Sequence, residues 1–119
     1  MHRLAQGLSY ERAAEKYLEA RGLRLLTRNF RCRTGEIDLV MMDVDTLVFV
    51  EVRYRSHQGF GGALESITKR KQIRVVRAAA TFLQSHAHYQ RLACRFDAVG
   101  IKGSVSDADF CWIKAAFSA

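Results

Sequence analysis

Proline is absent from all 119 residues, so no fixed φ or missing amide donor interrupts a helix or strand. Cysteine is scarce: Cys32, Cys94 and Cys111 form an odd set without a C-x-x-C pair. That excludes a signalled zinc site and a disulfide framework, and the expectation is buried structural thiols in a reducing cytosol. No apolar run approaches the roughly 18 residues of a membrane span. Met1-His2-Arg3-Leu4 lacks the apolar core of a secretion signal. Internal repeats, low-complexity tracts and linkers are also missing, so residues 1–119 read as one domain. Acidic residues are in deficit, 12 against 19 Lys plus Arg, a net charge of +7. Such an excess favours polyanions, nucleic acid before acidic membrane.

Hydrophobic residues make up 49%, enough for one real core. Tyr10 to Ala20 reads as a helix, with Ser9 as N-cap and Gly22 as stop. Tyr10, Ala13, Ala14, Tyr17 and Leu18 form its apolar face. On the same wheel Glu11 borders that face, whereas Glu15 and Glu19 turn toward solvent. Leu23 to Arg31 is extended. Glu36 to Met42 and Thr46 to Tyr54 are strands joined by the turn Asp43-Val44-Asp45. The second strand is apolar on both faces, as a covered central strand would be. Gln58 to Gly62 is a loop without the lysine and serine of a phosphate-binding loop. A helix from about Glu65 to Ser85 carries the apolar stripe Ile73, Val76, Ala80 and Leu83 beside the basic stripe Arg70, Arg74 and Arg77. His86 and His88 are surface residues at its end. Strands Arg95 to Ile101 and Phe110 to Ile113 complete an α-β-β-β-α-β-β order, a mixed α/β sheet flanked by helices.

Asp38 and Glu51 are carboxylates inside apolar strands, where a charge needs a partner. A turn centred between Val44 and Asp45 makes opposed residues sum to 89. Asp38 then faces Glu51, and Glu36 faces Arg53. Opposed side chains stand roughly 5 Å apart, so the two carboxylates call for a cation between them. A divalent metal with oxygen ligands is one answer. The other is that Glu51 pairs with a nearby Arg or Lys and Asp38 caps or bridges locally. Glu11 is the helix carboxylate best placed to join them, unless it pairs at the surface.

Those residues belong to a longer pattern. Glu11-Arg12-Ala13-Ala14 with Tyr17-Leu18, Asn29-Phe30-Arg31, Gly35-Glu36-Ile37-Asp38-Leu39, Val48-Phe49-Val50-Glu51-Val52-Arg53, Phe60-Gly61, Lys71 and Arg95-Phe96-Asp97 resemble the YraN family over nearly the whole chain. That family in turn resembles the PD-(D/E)XK nucleases, archaeal Holliday-junction resolvases among them. The resemblance implies a restriction-endonuclease-like fold and a Mg²⁺ or Mn²⁺ site on Glu11, Asp38 and Glu51, with Arg53 where the motif has lysine. It also implies DNA as partner and, by the resolvases, a homodimer.

Arginine cannot give up its proton, so Arg53 can stabilise charge but not activate water. It can also pair with Glu36 or Glu51 and compete with a metal. Lys71 on the following helix is a candidate substitute, or else a solvated residue. Three readings follow: a metal-dependent DNA phosphodiesterase, with Arg70, Arg74 and Arg77 on the phosphate backbone; a non-catalytic nucleic-acid-binding module on the same fold; and a basic protein with a protein partner.

Overall fold

The computed structural model describes residues 2–55 and 64–119, with residues 2–9 described by their backbone alone. The Gln58–Gly62 loop and Phe60-Gly61 lie outside the described residues. The elements are α1 (His2–Glu19), β1 (Arg24–Cys32), β2 (Gly35–Asp43), β3 (Thr46–Tyr54), α2 (Lys69–Ser85), a 3₁₀ turn (Ala87–Tyr89), β4 (Ala93–Ser104) and β5 (Asp107–Phe117). The five strands form one mixed sheet in the order β1-β2-β3-β4-β5. Only β3 and β4 run parallel, joined through α2; the other neighbours are antiparallel. No helix is long and apolar enough to cross a membrane among the described residues.

β3 is the central strand, and its residues Leu47 to Val52 are all buried. One face packs on α1 through Tyr10, Ala14, Leu18, Val48, Val50 and Val52. The other packs on α2 through Leu47, Phe49, Val75, Ala79 and Phe82. The hairpin register is the expected one: Leu39↔Val50 through Asp43↔Thr46 all sum to 89.

Four local expectations need correction. The helix continues back through Ser9 to His2, so Ser9 is not a cap; no proline precedes it to stop the helix. The second helix starts at Lys69, where the Thr68 hydroxyl accepts from the Lys71 amide at 3.2 Å. Its buried face is Val75, Ala78, Ala79 and Phe82, not Ile73, Val76, Ala80 and Leu83. Phe82 sets this phase, because its ring sits edge-on to both Phe30 and Phe49. Ile73 is left 43% exposed. Finally, none of the thiols is buried: Cys94 is exposed, and Cys32 and Cys111 are half-covered. Cys94 lies near the start of β4, and Cys111 lies on the edge strand β5.

Candidate active site

On β2, strand alternation fails at Asp38. Residues two apart on a strand share a face. Yet Ile37 packs in the α2 layer, whereas Leu39 packs in the α1 layer. The neighbouring strand is irregular at the same level: Asn29, between the pairs Arg28↔Leu39 and Phe30↔Ile37, has φ of 49°. Hydrogen-bonded pairing of β2 with β3 ends at Leu39↔Val50. Past it, the Val52 amide donates to Asp38 Oδ2 at 2.8 Å instead of to a strand carbonyl. The Asp38 carboxylate thus takes a ladder donor where the strands part.

Glu51 projects on the α2 side, with an exposure of 5%. A cavity of about 210 Å³ is lined there by Glu36, Glu51, Arg53, Lys71, Arg74 and Val75. Arg53 Nη2 donates to Glu51 Oε1 at 3.1 Å. Glu51 Oε2 and Arg53 Nε are buried and have no hydrogen-bond partner. Burial, and then the charge of Asp38, push the Glu51 carboxyl up to about 8. Asp38 is raised as well, chiefly by burial, against the opposing bond from Val52 and the charge of Arg53. The guanidinium of Arg53 and partial burial lower Lys71, whose ammonium also feels Glu51 and Asp38. One feature of the ion-pair alternative is present, the pairing of Glu51 with Arg53; Asp38 instead accepts from a backbone amide of the neighbouring strand.

Glu11 stands on the other side of Asp38. It lines a separate cavity of about 480 Å³ with Arg12, Lys16, Arg28, Asn29 and Leu39. Burial and then the charge of Asp38 push it up to about 7, opposed by a bond from the Asn29 side chain. Asp38 thus couples electrostatically to Glu11 on one side and to Glu51 on the other. Among the described residues no three His, Cys, Asp or Glu side chains are grouped to hold a metal ion. The expectation for Glu15 is overturned: it is 6% exposed and accepts from Arg28 Nε at 2.6 Å and Nη2 at 3.0 Å. Arg28, an i+13 neighbour on β1, has no helical spacing to betray it. Glu19 is exposed, as its phase indicates.

Arg70, Arg74 and Arg77 are all exposed on α2, and Arg74 reaches the Glu51 cavity. His88 is exposed, whereas His86 is half-buried and stacks on Phe82 at 3.9 Å. One buried carboxylate carries no chemistry signal in the sequence. Asp97 is fully buried and accepts from Arg95, from Trp112 Nε1 at 2.9 Å and from the Ala115 amide at 3.0 Å. It ties β5 to β4 and is structural.

These features define an α/β protein with a buried Glu51 and a half-buried Asp38 where strands β2 and β3 part, rimmed by basic residues. The chain belongs to the uncharacterised protein family UPF0102, whose profile matches residues 10–101. A UPF0102 protein of Pseudomonas putida KT2440 is 55% identical over 112 residues, 93% of this chain and 90% of the relative. One from Stutzerimonas stutzeri is 51% identical over 113 residues, 95% and 94% of the two chains. One from Alkalilimnicola ehrlichii is 52% identical over 116 residues, 98% and 89%. Among solved structures, Pyrococcus furiosus SfsA in complex with Ca²⁺ is similar at 14% identity and a TM-score of 0.37. That likeness covers 94% of this chain and 63% of SfsA, and is too slight to support an inference.

Proposed function

We propose that this chain is a metal-dependent phosphodiesterase acting on DNA, branched DNA included. The observation that carries this reading is Glu51 Oε2, a buried carboxylate oxygen without a partner, beside the raised Asp38. Desolvated carboxylates of this kind suit a hard divalent cation such as Mg²⁺ or Mn²⁺. Asp38 and Glu51 would hold it; Glu11, which lines the cavity on the other side of Asp38, would have to swing toward them to complete the set. The chemistry such an ion supplies is neutralisation of phosphate charge and activation of water.

The rest falls to the protein's own groups. Asp38 is held in place by the Val52 amide. Arg53 is positioned to neutralise charge on a phosphate entering the Glu51 cavity, but it has no proton to exchange. Lys71 lines the same cavity from the exposed side of α2, where the charge of Arg53 and partial burial lower its pKa. Arg70, Arg74 and Arg77 present an exposed cationic face to the backbone. A cytoplasmic location accords with three free thiols. The reading includes a homodimer, after the junction-resolving nucleases that the family resembles; light scattering of the purified chain tests it.

A second reading has its own observation. The Arg53–Glu51 ion pair occupies a candidate metal ligand, as a binding module that had lost catalysis would show. Cleavage assays on linear, branched and single-stranded DNA with Mg²⁺, Mn²⁺ or chelator separate the two. Metal-dependent products that vanish in Asp38→Ala support the enzyme. Salt-sensitive binding without cleavage under any metal leaves the module. Affinity that stays flat as salt rises removes both.

A further inference from the structure

The larger of the two cavities lies on the α1 face, away from Arg53 and Lys71. Its volume of about 480 Å³ falls in the range of sites that take one small organic ligand. Its wall is of three kinds. Ala13, Leu39 and Val105 are apolar. Glu11 and Asn29 offer hydrogen-bonding side chains. Arg12, Lys16 and Arg28 supply positive charge. Arg28 is already held by Glu15. Arg12 and Lys16 are exposed and have no ion-pair partner among the described residues.

An apolar patch, a hydrogen-bonding corner and two free cations match the three parts of a nucleotide: the face of a base, its polar edge and its phosphate. A base can enter a side pocket only when it is unpaired and unstacked. Glu11 is common to this cavity and to the electrostatic neighbourhood of Asp38. A nucleotide seated here would therefore flank whatever phosphate lies at Asp38 and Glu51. The two cavities open on opposite faces of the sheet. A continuous duplex lies along one face of a domain this size, whereas a strand leaving the duplex passes to the other.

We infer that the α1 cavity is a subsite for one unpaired nucleotide next to the phosphate that the Glu51 cavity receives. This rests on the nucleic-acid reading and adds to it that the substrate carries a single-stranded tail or branch.

The test uses the whole chain, chelator to prevent cleavage, and fluorescein-labelled DNA read by anisotropy. One duplex is blunt; the other has a short unpaired tail. The tailed duplex is expected to bind about tenfold tighter, from one more phosphate held by Arg12 and Lys16 and a base covered by apolar side chains. The double variant Arg12→Gln/Lys16→Gln, and separately Val105→Asp on the exposed rim, should abolish that ratio; melting curves verify that both fold. Equal binding of the two duplexes by the wild type overturns the subsite, as does a tail advantage that survives both variants. Failure of the wild type to bind either duplex instead sinks the nucleic-acid reading beneath it.

Discussion

Arg53 reaches Glu51 with one nitrogen at 3.1 Å and leaves the other carboxylate oxygen and its own Nε buried without partners. A buried ion pair offsets its desolvation only when the remaining donors and acceptors are also satisfied, and here they are not. The pair is thus poised to exchange partners. Shortening the side chain to lysine should free Glu51 for a cation. Arg53→Lys is expected to bind Mn²⁺ about tenfold tighter, ~1.4 kcal/mol, by calorimetry or electron paramagnetic resonance. Any Mg²⁺-dependent cleavage should rise with it, because lysine can also lose a proton. Unchanged Mn²⁺ affinity in a folded Arg53→Lys would mean that arginine does not compete.

The raised Glu51 carboxyl makes stability depend on pH. Between the ordinary glutamate value of 4.5 and about 8, the folded chain retains a proton that the unfolded chain has released. Raising pH through that interval therefore favours unfolding; below it both states hold the proton, and above it neither does. Glu11, pushed up to about 7, acts in the same direction over a narrower window. Without divalent metal, Glu51→Gln should melt several degrees above the wild type at pH 8.5 and close to it at pH 4.5. Added Mn²⁺ should raise the wild-type melting temperature most at high pH, where the carboxylates no longer hold protons. A difference between the two proteins that is the same at every pH would show that burial does not hold the proton on.

Much of this arrangement is legible in the sequence, for identifiable reasons. The two-residue turn at Val44-Asp45 fixes the β2–β3 register, so the level of Asp38 beside Glu51 follows by arithmetic. Apolarity on both faces of β3 marks it as central. The break in alternation at Asp38 is not legible, because no residue of β2 marks it; it lies level with the left-handed backbone of Asn29 on a different strand. Nor is the buried pair Glu15–Arg28, which joins a helix to a strand with no shared periodicity. The phase of α2 eluded the periodic pattern because one large ring, Phe82, outweighs several smaller side chains.

Asp97 shows what a buried carboxylate does when all of its bonds are made. It accepts from a guanidinium, an indole and a backbone amide. Asp97→Ala removes these bonds, leaving Arg95 with Asp43 alone and the Trp112 and Ala115 donors partly open to water, at a cost of about 1–3 kcal/mol. Trp112 is the single tryptophan of the chain, so its fluorescence reports directly on this bond. Urea unfolding should show the loss, with Trp112 emission already shifted to the red in the absence of urea. An Asp97→Ala protein as stable as the wild type would mean that β5 is held by other contacts.

Gly35 fixes the distance between α2 and β2. A Cβ built at Gly35 would lie 2.3 Å from the Arg74 carbonyl oxygen and 2.9 Å from its carbon, both backbone atoms that cannot swing aside. Gly35→Ala must therefore push α2 outward as a body, and such overpacking costs about 1–3 kcal/mol. The displaced helix carries Lys71 and Arg74, two walls of the Glu51 cavity. A loss of site function beyond the loss of stability is the expected result, seen as weaker binding of blunt duplex DNA under conditions where the variant is fully folded. Gly22 supplies the control. Its φ of 100° strains any other residue, but nothing lies within 4 Å of a Cβ there. Gly22→Ala should therefore destabilise by about 1 kcal/mol or more while leaving DNA affinity alone. If the two variants, both folded, bind DNA equally well, the seating of α2 on Gly35 does not position Lys71 and Arg74.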